Sequence, residues 1–223
     1  MRRFRLDPFL WIHFAGLATL PIWFGLCLFG FAVGYPLLPV GVEFSLVAIA
    51  GILPILWMQW FRPFYIFSIL VVAIRPERLA DEQRRILAGF KTQRQQGLSS
   101  ITPILLLPVL WQLYGVAPLA AEVASGFSEW RPLGLAIAAA AFCGANLFAQ
   151  VPMSVVGIFL TPESEFANRE PLSPPQIRQG FTIVGARVDR IWPVSRETAE
   201  PADPEPPGAG TSESPDIDPA ESV

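Results

Sequence analysis

Apolar residues gather into four long runs, residues 9–33, 42–61, 101–121 and 133–160, separated by short polar links. About 20 apolar residues wound as a helix cross a hydrocarbon core ~30 Å thick, so each run qualifies as a transmembrane helix. The last is long enough to tilt or to emerge beyond the bilayer. The pattern predicts an all-α polytopic membrane protein. A fifth run, residues 64–74, holds 11 residues directly after Arg62-Pro63. It is too short to cross and is expected to lie at the interface as a helix or to re-enter from one side. Between the second and third spans, residues 76–96 read as a helix with Pro76 in its first turn and Asp81 four residues before Arg85. Leu79, Ile86, Leu87 and Phe90 line one face of it, ringed by basic residues, as in a helix lying on a membrane surface.

The pattern changes at Thr161. A polar segment, residues 162–194, contains Pro171, Pro174 and Pro175 and then a compact apolar stretch, residues 181–194. Phe181, Val184, Val188, Ile191 and Trp192 would share a helical face, while the β-branched content equally permits a strand. In either form the stretch has something to bury and is expected to dock on the membrane or the bundle. Beyond Val194 the chain is Pro, Glu, Asp, Ser and Gly, with too little apolar content to offset the entropy of ordering. Residues 195–223 are expected to form a disordered, acidic, Pro-rich tail.

Composition agrees with the pattern: 52% of the 223 residues are hydrophobic and 16% charged, against roughly 25% charged in soluble domains. The net charge of −3 hides two opposite parts. Residues 195–223 hold eight acidic residues and one basic, a balance of −7 that leaves +4 for residues 1–194. A mildly basic membrane body suits loops that face anionic lipid. The N-terminal Arg2-Arg3-Phe4-Arg5 and the run that follows are expected to be a retained anchor, since signal h-regions span about 7–15 residues.

Positive charge sets the orientation, because Lys- and Arg-rich links stay on the cytoplasmic side. Arg2, Arg3 and Arg5 precede the first span; the second link carries Arg62, Arg75, Arg78, Arg84, Arg85, Lys91 and Arg94; and Arg169, Arg178, Arg187, Arg190 and Arg196 follow the last. Only Arg131 lies on the other side, so four spans with both termini cytoplasmic are expected. Trp11, Trp57, Trp60 and Tyr65 would form a cytoplasmic aromatic belt, with Tyr35 and Trp130 marking the opposite face. Prolines recur in every span, and ordinary shaping of a bundle is the expected role.

Ionisable residues inside a membrane are the first place to look for chemistry, and there are few here. Glu43, at the start of the second span, reads as a solvated interfacial residue. His13, the only histidine, lies one turn into the first span. Its sharp reading is an axial ligand to a haem or chlorophyll; the favoured one is a histidine bonded to a neighbouring helix, with Gln59 at similar depth. Cys27 and Cys143 fall at different depths and are expected to be unpaired core residues. Gln112 and Asn146, both placed mid-span, are expected to bond between helices, with Gln150 one turn beyond Asn146. Gly134, Ala138, Ala141, Ala145 and Ala149 put small residues on one face of the fourth span, as close helix packing requires. There is neither a nucleophile–base pair nor a metal-ligand cluster nor a phosphate loop, so no enzyme, cofactor, metal or nucleic-acid partner is expected.

The string Trp57-Met58-Gln59-Trp60-Phe61-Arg62-Pro63-Phe64-Tyr65-Ile66-Phe67-Ser68, with Leu110-Trp111-Gln112-Leu113-Tyr114, resembles the cyanobacterial low-complexity tail membrane proteins. Asp7-Pro8 ahead of Trp11-Ile12-His13, residues 187–194 and the acidic Pro-rich tail are similar too. The resemblance implies a cyanobacterial host, hence a plasma or thylakoid membrane, and carries no activity or functional residue with it. The expectation is a non-enzymatic accessory, scaffold or assembly partner, embedded in the bilayer and associated with a membrane complex or with its own copies. The alternative is a small oligomeric transporter or channel subunit using Gln112, Asn146 and Gln150.

Overall fold

The computed structural model describes residues 3–69, 71–127 and 130–191. Helix α1 (Pro8–Ala15) starts where Asp7 accepts a hydrogen bond from the Phe9 amide and Pro8 supplies a preset φ. It passes through a 3₁₀ turn, Gly16–Thr19, into α2 (Leu20–Ala32). The tightening has a cause: Pro21 lacks an N–H and its ring crowds the preceding turn. Helices α3 (Val40–Phe61), α5 (Gln93–Val116) and α6 (Arg131–Phe159) complete a bundle. With α1 and α2 taken together, and with α5 extended to Ala120, these are the four helices among the described residues long and apolar enough to cross a membrane.

Helix α6 is the centre of the bundle and packs against α2, α3 and α5. Gly134, Ala138, Ala141, Ala145 and Ala149 are all buried. A Cβ on Gly30 would sit 2.5 Å from the Ala138 amide nitrogen, so α2 and α6 touch backbone to backbone. In lipid, where burial of apolar surface drives little, such close approach is what holds helices together. Phe142 fills the middle of this core with Cys27, Val47 and Leu110. Both cysteines are free.

The fifth apolar run is not a helix. Ser68–Ile69 (β1) and Val72–Ile74 (β2) form an antiparallel pair, and Ala186–Val188 (β3) joins β2 in parallel. Tyr65, Ile66 and Phe67 are fully buried in succession. An interfacial helix buries one stripe, whereas a run covered on both sides suits extended backbone. The segment from Phe181 docks as sequence suggested, in extended rather than helical form: Tyr65 N–H donates to Thr182 O at 3.1 Å and Thr182 N–H to Pro63 O at 3.0 Å. Trp192 and everything after it lie outside the described residues.

The helix expected over residues 76–96 is divided. A 3₁₀ turn, Pro76–Arg78, precedes α4 (Asp81–Phe90), and the chain breaks at Lys91 and Thr92 before α5 begins at Gln93. The third spanning helix therefore starts eight residues earlier than its apolar run. Asp81 pairs with Arg84 at 3.6 Å rather than with Arg85. Nor is the apolar face of this segment left open to a membrane surface. Leu79, Ile86, Leu87 and Phe90 are buried in a second core with Phe4, Phe9, Leu10, Val155, Ile158, Phe166, Ile177 and Phe181. Two short helices, α7 (Glu163–Ala167) and α8 (Pro174–Gly180), complete this layer, which we call the platform.

Gly185 is the hinge on which β3 closes. Its φ is +94°, a region that L side chains rarely enter, and a Cβ there would fall on the Val71 carbonyl. Gly185→Ala is expected to part β3 from β2 at a cost of at least about 1 kcal/mol. Faster hydrogen exchange of the Ala186 amide, which donates to Val71 O at 2.7 Å, would report it.

Candidate functional site

Two polar constructions stand out, one at each end of the bundle. At the end away from the platform, Glu43 is fully buried and Arg131 is 3% exposed. The first turn of α3 and the first residue of α6 bring them together, with the guanidinium bidentate on the carboxylate through Nε and Nη2. Arg131 Nη1 donates to Phe31 O at 2.7 Å and Val33 O at 3.1 Å, and the Leu37 amide and the Tyr114 hydroxyl, each at 3.0 Å, donate to the Glu43 carboxylate. Each of the four spanning helices, or the loop at its end, contributes to this lock. The solvated reading of Glu43 was thus wrong. Its clue was available: the single acid within a span and the single cation on that side lie at the same bilayer boundary.

Gln112 does not meet Asn146. It lies two residues before Tyr114, so about 3 Å from the level of the lock at 1.5 Å per residue, and it is exposed. Asn146 lies fifteen residues beyond Arg131, about 22 Å deeper. Asn146 instead donates to Phe142 O at 3.0 Å, and Gln150 donates weakly to Asn146 Oδ1 at 3.5 Å. A different buried seam joins α5 to α6: Gln95 Nε2 donates to Ser154 O at 2.6 Å, with Ser99 and Thr102 along the same helix. Gln95 Oε1 and Gln150 Oε1 are buried there with no hydrogen-bond partner among the described residues.

His13 finds its partner within its own helix, since Nδ1 lies 2.8 Å from Phe9 O. A carbonyl only accepts, so Nδ1 carries the proton. Gln59 is committed elsewhere, accepting from the Phe64 amide at 3.3 Å. Among the described residues no three His, Cys, Asp or Glu side chains form a group able to hold a metal ion.

The second construction is the platform. Four stretches far apart in sequence supply it: the N-terminal turn, residues 63–90, the end of α6, and residues 163–191. Tyr65, expected in the aromatic belt, is instead its keystone, fully buried and donating from its hydroxyl to Ile74 O at 2.9 Å. Trp11, Trp57 and Trp60 remain exposed as a belt. Burial, reinforced by the negative charge of Glu77, raises the Tyr65 phenol above its ordinary value of 10.0. The folded state therefore keeps a proton that the unfolded chain releases, and its stabilising effect, whole below pH 10, is lost as pH rises above that value. Tyr65→Phe is expected to flatten the alkaline fall of a pH–stability profile followed by circular dichroism.

Elsewhere on the platform, Arg75 and Arg78 share Asp189 at 3.0 and 3.5 Å, which ties β3 to the turn before α4. These pairs are half exposed and contribute little stability singly. The arrangement offers a rigid surface joined to the bundle. A family model described as low-complexity tail membrane protein-like matches residues 6–193. No curated protein and no solved structure matches the chain.

Proposed function

The chain belongs to the low-complexity tail membrane protein-like family, and we propose that it acts as a non-enzymatic accessory or scaffold protein that presents its platform and tail to a larger membrane complex. The observation that carries this is the platform core, in which seventeen buried residues join both termini of the bundle to the β-strands. A layer so fixed to the bundle is a rigid surface on which a partner could dock. By sequence position, fifteen of the sixteen Lys and Arg residues precede the first span, join the second to the third or follow the last, which favours a cytoplasmic platform with both termini inside. The resemblance in sequence favours a cyanobacterial plasma or thylakoid membrane.

Pull-down of the full chain from membranes in mild detergent tests the proposal. Recovery with a larger complex, reduced when the chain is stopped at Val194, is the expected result. Recovery only as a homo-oligomer, together with solute flux in liposomes, would overturn it. That outcome would favour the transporter reading, for which the acceptors Gln95 Oε1 and Gln150 Oε1 in the α5/α6 seam, unpartnered among the described residues, are the supporting observation.

A further inference from the structure

We infer that the edge where α3 ends and α5 begins binds the phosphate-bearing headgroup of an anionic lipid, through Arg62, Lys91 and Arg94. All three are exposed, and among the described residues none is in an ion pair. Arg62 is the first residue after α3, Lys91 caps α4, and Arg94 is the second residue of α5. Phe181 draws two of them together. Arg62 Nη2 donates to its carbonyl at 3.3 Å, and Lys91 Nζ stands 5.4 Å from the centre of its ring. Both retain free donors, because a guanidinium has five N–H groups and an ammonium three. The neighbouring Arg178 is already matched by Glu77 at 2.7 Å.

Position selects the ligand. Trp57 and Trp60 are exposed within the last turns of α3, and indoles settle at the headgroup level. Trp60 Nε1 donates to Ser100 Oγ at 3.2 Å, which pins α3 to α5 at that height. Seven and eleven residues beyond Arg94, on the same side of α5, Ile101 and Leu105 are exposed. Arg62 and Lys91 thus meet at Phe181, and Arg94 follows Lys91 by three residues at the start of α5, whose exposed apolar strip runs on from it; this pairing suits a phosphate with an acyl chain below it. A tail carboxylate would use the cations and leave the strip without purpose.

The test uses the full chain in phosphatidylcholine vesicles that contain a minor fraction of phosphatidylglycerol with brominated acyl chains. Tryptophan quenching should exceed that from the same fraction of brominated phosphatidylcholine. Arg94→Gln, at a side chain with no hydrogen bond to another segment among the described residues, should lower the relative affinity about fivefold. R62Q/K91Q/R94Q together should abolish the preference, while R62K/R94K should keep it. Equal quenching by the two lipids, or a preference that survives in the triple variant, would overturn the inference. Loss of the preference on adding inorganic phosphate would assign the cluster to a soluble anion. A preference seen only when the chain stops at Val194 would assign it to the acidic tail.

Discussion

Arg131→Met is expected to lower the unfolding free energy by about 3–5 kcal/mol, because it leaves the Glu43 carboxylate buried with no cation. The remaining donors, the Leu37 and Leu38 amides and the Tyr114 hydroxyl, carry no charge to offset it. Adding Glu43→Leu to Arg131→Met is expected to restore most of the loss, since replacing a buried pair by apolar side chains is often close to neutral. Unfolding of the two variants in mild detergent, followed by circular dichroism, separates the effects. Were the single variant to lose less than about 1 kcal/mol, the pair would be behaving as a surface ion pair and the buried lock would be wrong.

Phe181→Ala should cost about as much, about 3–5 kcal/mol, by opening a cavity in the platform core. The ring is fully buried, its carbonyl holds Arg62, and its neighbour Thr182 bonds to both Pro63 and Tyr65. The loss should be local. Protease cleavage after Arg187 and Arg190 should quicken sharply, while the spanning helices keep their helicity and membrane insertion is unchanged. If partner recovery falls in parallel, the platform is the presenting surface; equal melting of platform and bundle would show a single cooperative unit instead.

The platform was the least legible part of the chain. Residues 64–74 are too short to span, but only part of their pairing, β1 with β2, is local; the partners that complete the sheet, residues 182–188, lie more than a hundred positions away, which local periodicity does not register. The amphipathic face of α4 was read correctly as a face. What covers it, the core shared with Val155, Ile158 and Phe166, is a matter of where the end of α6 and the segment after it come to lie. For Gln112 and Asn146, depth counted from the ends of apolar runs misled, because α5 starts eight residues before its run does.

Hydropathy and length alone determined the membrane class, the four helices and the break in character after Thr161, because each of these follows from the cost of taking polar backbone or charge into hydrocarbon. Which charges are buried, and which apolar residues gather into the platform core, only the tertiary structure decided. In the bilayer apolar surface is at no disadvantage, so an apolar run signals a span and little about its neighbours. In water the same side chains must find one another, and the partners of Tyr65, Phe181 and the residues of α4 lie in segments that folding alone brings together.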